Sequence, residues 1–451
     1  MIEFEKRGVP TVAFVARGFE HDAARSAKSF GLEGLPFAVA ESTFTSHTAD
    51  DIRAMVNACF DDLERGLRRA PATAAPATVV RPSEEWLSFD GADTLAALDA
   101  LNERSIEGGW GDGFPVVPPT KDRLERMLAG TTRAHDAVVA VLEPGFGVAT
   151  VEKIAANAVM AGCLPQHLPV VIAAVECIAD PKINLRSKAM STGPQAPLLV
   201  VNGPIVKEIG LNFGRNALGP GAPSRANTVI GRALRLVMMN VGHTYHDVAD
   251  MDTIGSPTKY SMCLAENEDA SPWPPYSVDV GFPAGTSTVT CLFTYGICEL
   301  HDFDSHTPEG LIEVFASAAM NAAQVPTGHW LVGRRADARS GTEEKEHHFM
   351  LICPEHADIF RSARWTRQDV QRAMWRQARM PFRTMMLNKE PQAMRAAHPE
   401  LAWLWDSPQS LLPVLEDPEC FDVAVVGATA GRGAFLWGSG GPVTKPITDR
   451  A

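Results

Sequence analysis

The chain has eight cysteines and no C-x-x-C spacing among them. Cys59, Cys163, Cys177, Cys263, Cys291, Cys298, Cys353 and Cys420 are scattered. That distribution excludes a zinc module and a disulfide framework, and predicts reduced thiols in a cytoplasmic protein. The N-terminus lacks the basic, apolar and small-residue pattern of a signal peptide. No uncharged apolar run approaches ~20 residues, so no membrane span is expected. Basic residues are in deficit, 41 Lys and Arg against 54 Asp and Glu, for a net charge of −13. Nucleic acid needs a basic footprint and is not an expected partner. A small anionic ligand needs only local positive potential and is. No internal repeat is evident.

What is present is ordinary globular composition, 45% hydrophobic and 21% charged over 451 residues, enough for two or three domains. Residues 1–70 read as strand, helix, strand, helix. The apolar run at Gly8–Val15 and Leu35–Val39 are the strands, and Phe19–Phe30 is a helix. A second helix runs over Thr48–Leu67, with Thr48 as its cap and Ile52, Val56, Phe60 and Leu63 on one face. This is half of a doubly wound sheet, which leaves an edge unpaired. A preceding βα segment, or a partner chain that supplies it, is therefore expected; otherwise a homo-oligomer is. Residues 71–85, with PATAAPATVVRP, read as a linker. Residues 86–451 read as a larger mixed α/β domain. Helices are expected at Thr150–Ala161, Pro169–Ile178, Thr228–Met239, Pro308–Ala323 and Arg367–Ala378. Strands are expected at Leu198–Asn202, Thr286–Phe293, Trp330–Val332, Phe349–Cys353 and Phe421–Gly427. Glu107–Thr120 is too rich in glycine and proline to be regular, and Gly427–Gly441 reads as a glycine-rich turn after the Phe421–Gly427 strand.

Three stretches could carry chemistry. Asn216 to Arg232 is a glycine-rich loop entering a helix. Gly219 and Gly221 let backbone N–H groups approach a ligand, and Ser224, Asn227 or Thr228 can cap the helix. The helix N-terminus favours an anion, and Arg232 adds a bidentate donor. It matches neither a Walker loop nor a dinucleotide fingerprint. Its plainer alternative is a tight loop with a satisfied cap. The second stretch, Asp252 to Glu268, offers Lys259 to hold a carboxylate or phosphate and Glu266 as a base if buried. Cys263 is a nucleophile there if Lys259 or a helix end lowers its pKa. The third, Val151 to Cys163, places Cys163 at a helix C-terminus, which raises a thiol rather than lowering it. A small buried residue is the alternative for Cys163. Asp112 in the Trp110–Phe114 loop could touch a ligand or cap a turn. Asn202 ends a strand where α/β sheets place ligands. His243, His246, Asp247 and Asp250 are only loosely metal-like, and no metal or other cofactor is assigned.

The segment Glu5-Lys6-Arg7-Gly8-Val9-Pro10-Thr11-Val12, followed by Phe19, the Ala23–Gly31 helix and Leu35-Pro36-Phe37, resembles the UGSC family of bacterial (seleno)proteins. That family is named for a Sec-Gly-Ser-Cys or Cys-Gly-Ser-Cys motif. In fused members the resemblance extends through Trp110–Thr120, Val151–Pro165, Asn202–Pro204, Asn227–Arg235 and Ser256–Trp273. The motif itself would lie upstream of Met1, so either the start is misassigned or a separate subunit supplies that half. The resemblance implies a thiol- or selenol-dependent oxidoreductase acting on a small anionic molecule, with Asn227, Arg232 and Lys259 holding the substrate. A lyase or hydrolase using Glu266 and Lys259, and a non-catalytic binding subunit, are the alternatives.

Overall fold

A computed structural model describes residues 4–5, 7–20, 23–24, 27, 32, 34–42, 48–69, 86–246, 249–321, 329–332, 345–386, 392, 395–396, 398–429 and 431–450. The expected linker lies outside these, as does most of the Phe19–Phe30 helix.

In the N-terminal part, β1 (Ala13–Ala16) pairs in parallel with β2 (Phe37–Ala40). Helix α1 (Ala49–Ala58) starts at a capping box in which the Thr48 hydroxyl and the Asp51 carboxylate each take the other's backbone N–H. The single expected helix breaks at Cys59, and α2 (Phe60–Arg68) follows. The expected apolar face is not buried here: α1 has no buried residue, and Phe60 is exposed.

In the larger part, α3 (Thr94–Glu107) and α4 (Lys121–Leu128) precede the hairpin β3 (Val138–Leu142) and β4 (Gly147–Thr150). Helices α5 (Val151–Ala161) and α6 (Leu168–Ala179) follow, where the apolar spacing places them. The chain then builds a seven-stranded mixed sheet. Strand β5 (Ala196–Asn202) crosses over through α7 (Arg225–Asn240) to the parallel β6 (Cys263–Ala265). Strand β7 (Thr288–His301) returns antiparallel on the other side of β5. After α8 (Pro308–Ala319), the same connectivity recurs. Strand β8 (His348–Ile352) crosses over through α9 (Pro354–Ser362) and α10 (Arg367–Gln377). That crossover includes the small pair β9 (Arg379–Pro381) and β10 (Leu411–Pro413). It ends in β11 (Phe421–Val425), parallel to β8, and β12 (Arg432–Gly438) returns antiparallel on the other side of β8. Pairing of β12 with β7 joins the two halves, and β13 (Val443–Pro446) adds to β7. The repeat is one of topology, absent from the sequence.

Side-chain alternation explains why these strands read as unbroken apolar runs. Leu199 and Val201 face a core made with α5, α6 and α7, whereas Leu198 and Val200 face inward. Met350, Ile352, Val423 and Val425 face a second core with α8, α9 and α10. Phe349, Leu351 and Ala424 join Leu198 and Val200 in a third cluster shared by both halves. The sheet therefore curls, and the two edge strands meet where Asn267 N–H donates to Val425 O at 2.7 Å. Two expectations are corrected. Residues His329–Val332 form a short 3-10 turn, not a strand. The glycine-rich Gly427–Gly441 contains the strand β12, because Gly433 and Gly438 sit where a side chain would strike Phe315 and the His347 carbonyl.

Candidate functional site

The expected site residues fall in three separate places. The glycine-rich loop closes on itself. Gly219 and Gly221 take φ of +87° and +136°, and the Gly219–Pro220 peptide is cis. Asn227 does not cap α7; its amide brackets Asn212, accepting from that residue's N–H and donating to its carbonyl, both at 2.9 Å. The Ser224 hydroxyl donates to Asn216 O and the Thr228 hydroxyl to Ser224 O. The N-cap residue Ser224 makes no side-chain cap hydrogen bond to α7.

The second place is the polar side of α7. Arg232 makes a bidentate pair with Asp112, at 2.7 and 2.8 Å, and donates to the carbonyls of Phe114 and Pro115. This ties the Gly108–Thr120 loop to the helix. Lys259 lies 2.8 Å from both Asp250 and Asp252, and Arg235 pairs with Asp250. Three cations meet three carboxylates, so the local positive potential expected to hold an anion is compensated internally. Cys163 and Cys263 are both buried. Cys163 donates to Val229 O. Burial raises both thiols, Cys263 to about 12 and Cys163 well above the ordinary thiol range. The condition that would make Cys263 a nucleophile is not met, because Lys259 is engaged with the two aspartates.

The third place brings Asn202 and Glu266 together at the C-terminal ends of β5 and β6. Asn202 Nδ2 donates to Glu266 Oε2 at 2.5 Å and to Glu268 Oε1 at 3.0 Å. Gly203 N–H also donates to Glu268, at 2.7 Å. Gly203 has φ +89°, and a Cβ there would strike Thr286 O, so the turn requires glycine. Glu266 is 1% exposed. It accepts from Tyr276 N–H at 2.7 Å and pairs with Arg367 at 3.2 Å. Arg367 also pairs with Asp279, donates to Pro274 O and lies over the rings of Trp273 and Tyr276. Tyr276 continues the chain, donating to Asp422, which faces His347. Burial pushes the Glu266 carboxyl above its usual range, against the opposing pull of Arg367, Tyr276 N–H and Asn202. Asn202 Oδ1 and Thr288 Oγ1, on residues that face each other across β5 and β7, are fully buried and have no hydrogen-bond partner among the described residues.

Glu268, Arg367, Asp279, Thr288 and Tyr276 were not legible as site residues. Arg367 sits 101 positions from Glu266, in a helix whose pattern announces only amphipathicity. Among the described residues no three His, Cys, Asp or Glu side chains are placed to hold a metal ion, and no helix is long and apolar enough to cross a membrane.

The sequence comparison bears on the other end of the chain. Residues 1–69 match the UGSC family. The UGSC-matching segment is thus the two-stranded N-terminal part with α1 and α2, and the buried Glu266 cluster lies in the larger part that follows it. No curated protein and no solved structure matches the chain.

Proposed function

We propose that the larger part is an enzyme that moves a proton on a small molecule, with Glu266 as its acid–base group. The observation that carries this reading is a buried carboxyl with a raised pKa at the carboxyl ends of two parallel strands. A carboxyl held above its usual range is better matched to proton transfer near neutrality than an exposed one. Asn202 orients it, Arg367 sets how far its pKa rises, and half-buried Glu268 lies toward solvent. Asn202 Oδ1 and Thr288 Oγ1, buried and without a hydrogen-bond partner among the described residues, leave an acceptor and a donor unused beside Glu266. Arg367 takes the place that the lyase or hydrolase reading gave to Lys259.

Abstraction of a proton α to a carbonyl is the simplest reaction for such a base. A mixture of small carbonyl compounds incubated with the protein in D2O tests it. Wild type should introduce deuterium into one component, and Glu266→Gln should slow this by about 10²-fold or more. Exchange at the wild-type rate in that variant refutes the proposal.

A second reading is a thiol- or selenol-dependent oxidoreductase acting on a small anionic molecule, which the UGSC match over residues 1–69 favours. In that reading the UGSC segment supplies, or docks against, the redox centre. Turnover that survives alkylation of every reactive thiol excludes it.

A further inference from the structure

The second half of the sheet repeats the topology of the first, so the end of β8 corresponds to the end of β5, where Asn202 and Gly203 lie. The residue there is Cys353, which is also the N-cap of the nine-residue helix α9. His356 stands three positions on, at N3, from which a side chain reaches back to the cap. His356 is 2% exposed. Its Nε2 lies 3.0 Å from Asp302 O, and Phe315 packs edge-on against the ring. A carbonyl accepts only, so Nε2 carries the hydrogen and Nδ1 is the free base. Nδ1 has no hydrogen-bond partner among the described residues. The Gly431 loop lies close by: Gly431 N–H donates to Glu355, next to His356 in sequence, and Gly431 O accepts from Asp302 N–H.

These are the parts of an activated nucleophile: a thiol at a helix head, a buried imidazole with an unpaired nitrogen three positions on, and a third group that fixes the tautomer. We propose that Cys353 and His356 form a thiolate–imidazolium pair, and that Cys353 is a modification site for hydrogen peroxide. Burial alone would raise the Cys353 thiol, yet His356, through its ring and its backbone N–H, together with Arg432 N–H, holds it below its ordinary value; the His356 ring is correspondingly raised. Cys353 is unlike Cys163, Cys177, Cys263, Cys291 and Cys420, whose thiols burial raises. Cys353 is 3% exposed, which calls for a very small electrophile, and a neutral one meets no barrier from a net charge of −13.

The step balances within the pair. The Cys353 sulfur attacks one peroxide oxygen, an S–O bond forms and the O–O bond breaks. Sulfur is oxidised by two electrons to sulfenic acid, and the other oxygen leaves as hydroxide. The His356 imidazolium protonates that hydroxide to water and is left neutral.

The full chain is treated with hydrogen peroxide and dimedone, which traps sulfenic acid, and the adducts are mapped over all eight cysteines by mass spectrometry. Cys353 should be trapped first, ahead of the more exposed Cys298. In wild type alone, its trapping rate should rise with pH to a midpoint below that of an ordinary thiol. His356→Gln should move the midpoint up and slow trapping at neutral pH by about tenfold. Adducts that map first to Cys298, or a wild-type midpoint at or above the ordinary thiol value, overturn the proposal. Cys353 is not among the groups that contact Glu266, so Cys353→Ser should leave the D2O exchange intact, and the two proposals fail separately.

Discussion

Replacing Arg367 with Met removes the only cation that touches Glu266 among the described residues. Arg367 is 3% exposed and Glu266 1%, so neither can recover solvation when the other is lost. Breaking a buried pair from one side costs ~3–5 kcal/mol, mostly because an uncompensated charge remains. Met keeps the volume and its contact with the rings of Trp273 and Tyr276, so little of that loss is packing. Glu266→Gln in the same background removes the stranded charge. Asp279, with its side chain 24% exposed, can turn to solvent. The double variant should therefore be less destabilised than the two singles summed, with a coupling of ~1–3 kcal/mol. The pH dependence has a definite sign. Without Arg367 the Glu266 carboxyl rises further, and the native state holds its proton over a wider range than the unfolded chain, whose glutamates titrate near ~4.3. The deficit of Arg367→Met relative to wild type should thus be full at pH 7 and shrink toward pH 4. Urea unfolding of wild type, both singles and the double at these two pH values measures it. A loss below ~1 kcal/mol at pH 7, or strict additivity in the double, would refute a buried charge pair at this place.

Two further perturbations test neighbouring parts. His348 is fully buried and neutral, with burial lowering it to about 4. Because the unfolded chain takes up that proton near pH 6.5, this group's contribution is complete above pH 6.5 and is lost as pH falls toward 4, about 3 kcal/mol in all. His348→Gln should flatten the stability profile over that window, and an unchanged slope would show that His348 does not stay neutral. Asp112→Asn leaves Arg232 without its carboxylate and should cost ~1–3 kcal/mol. It should also free the Gly108–Thr120 loop, so limited proteolysis should cut there faster than in wild type; equal cleavage would show that another contact holds the loop.

Local chemistry made much of the fold legible. Leu198–Asn202, Phe349–Cys353 and Phe421–Gly427 read as buried strands because both faces of the sheet are covered. Thr48 announces a helix start by capping chemistry and accepts from a backbone N–H in the first turn; Thr150 and Thr366 cap in the same way, which only the structure shows. What stayed hidden is non-local. Arg232 reads as an anion donor until its partner Asp112, 120 residues away, is placed beside it. Strand β6 has only three residues, too few for a periodicity. Strand β12 reads as a loop because its glycines are set by neighbours pressing from Phe315 and His347. Glu266 was legible as a base only on condition of burial, and no residue near it in sequence reveals Arg367 or Thr288. The repeated topology left no trace because each half packs against different helices.

The protonation of Glu266 is the most direct measurement. Difference infrared spectra of wild type against Glu266→Gln, recorded across pH, isolate the carboxylic acid C=O band of this one residue. A carboxyl raised by burial at the ends of β5 and β6 gives a band that persists above the usual glutamate range and shifts in Arg367→Met to still higher pH. A band that vanishes at the pH of an exposed glutamate would make Glu266 an ordinary ionised partner of Arg367, and the proton-transfer site would fall with it.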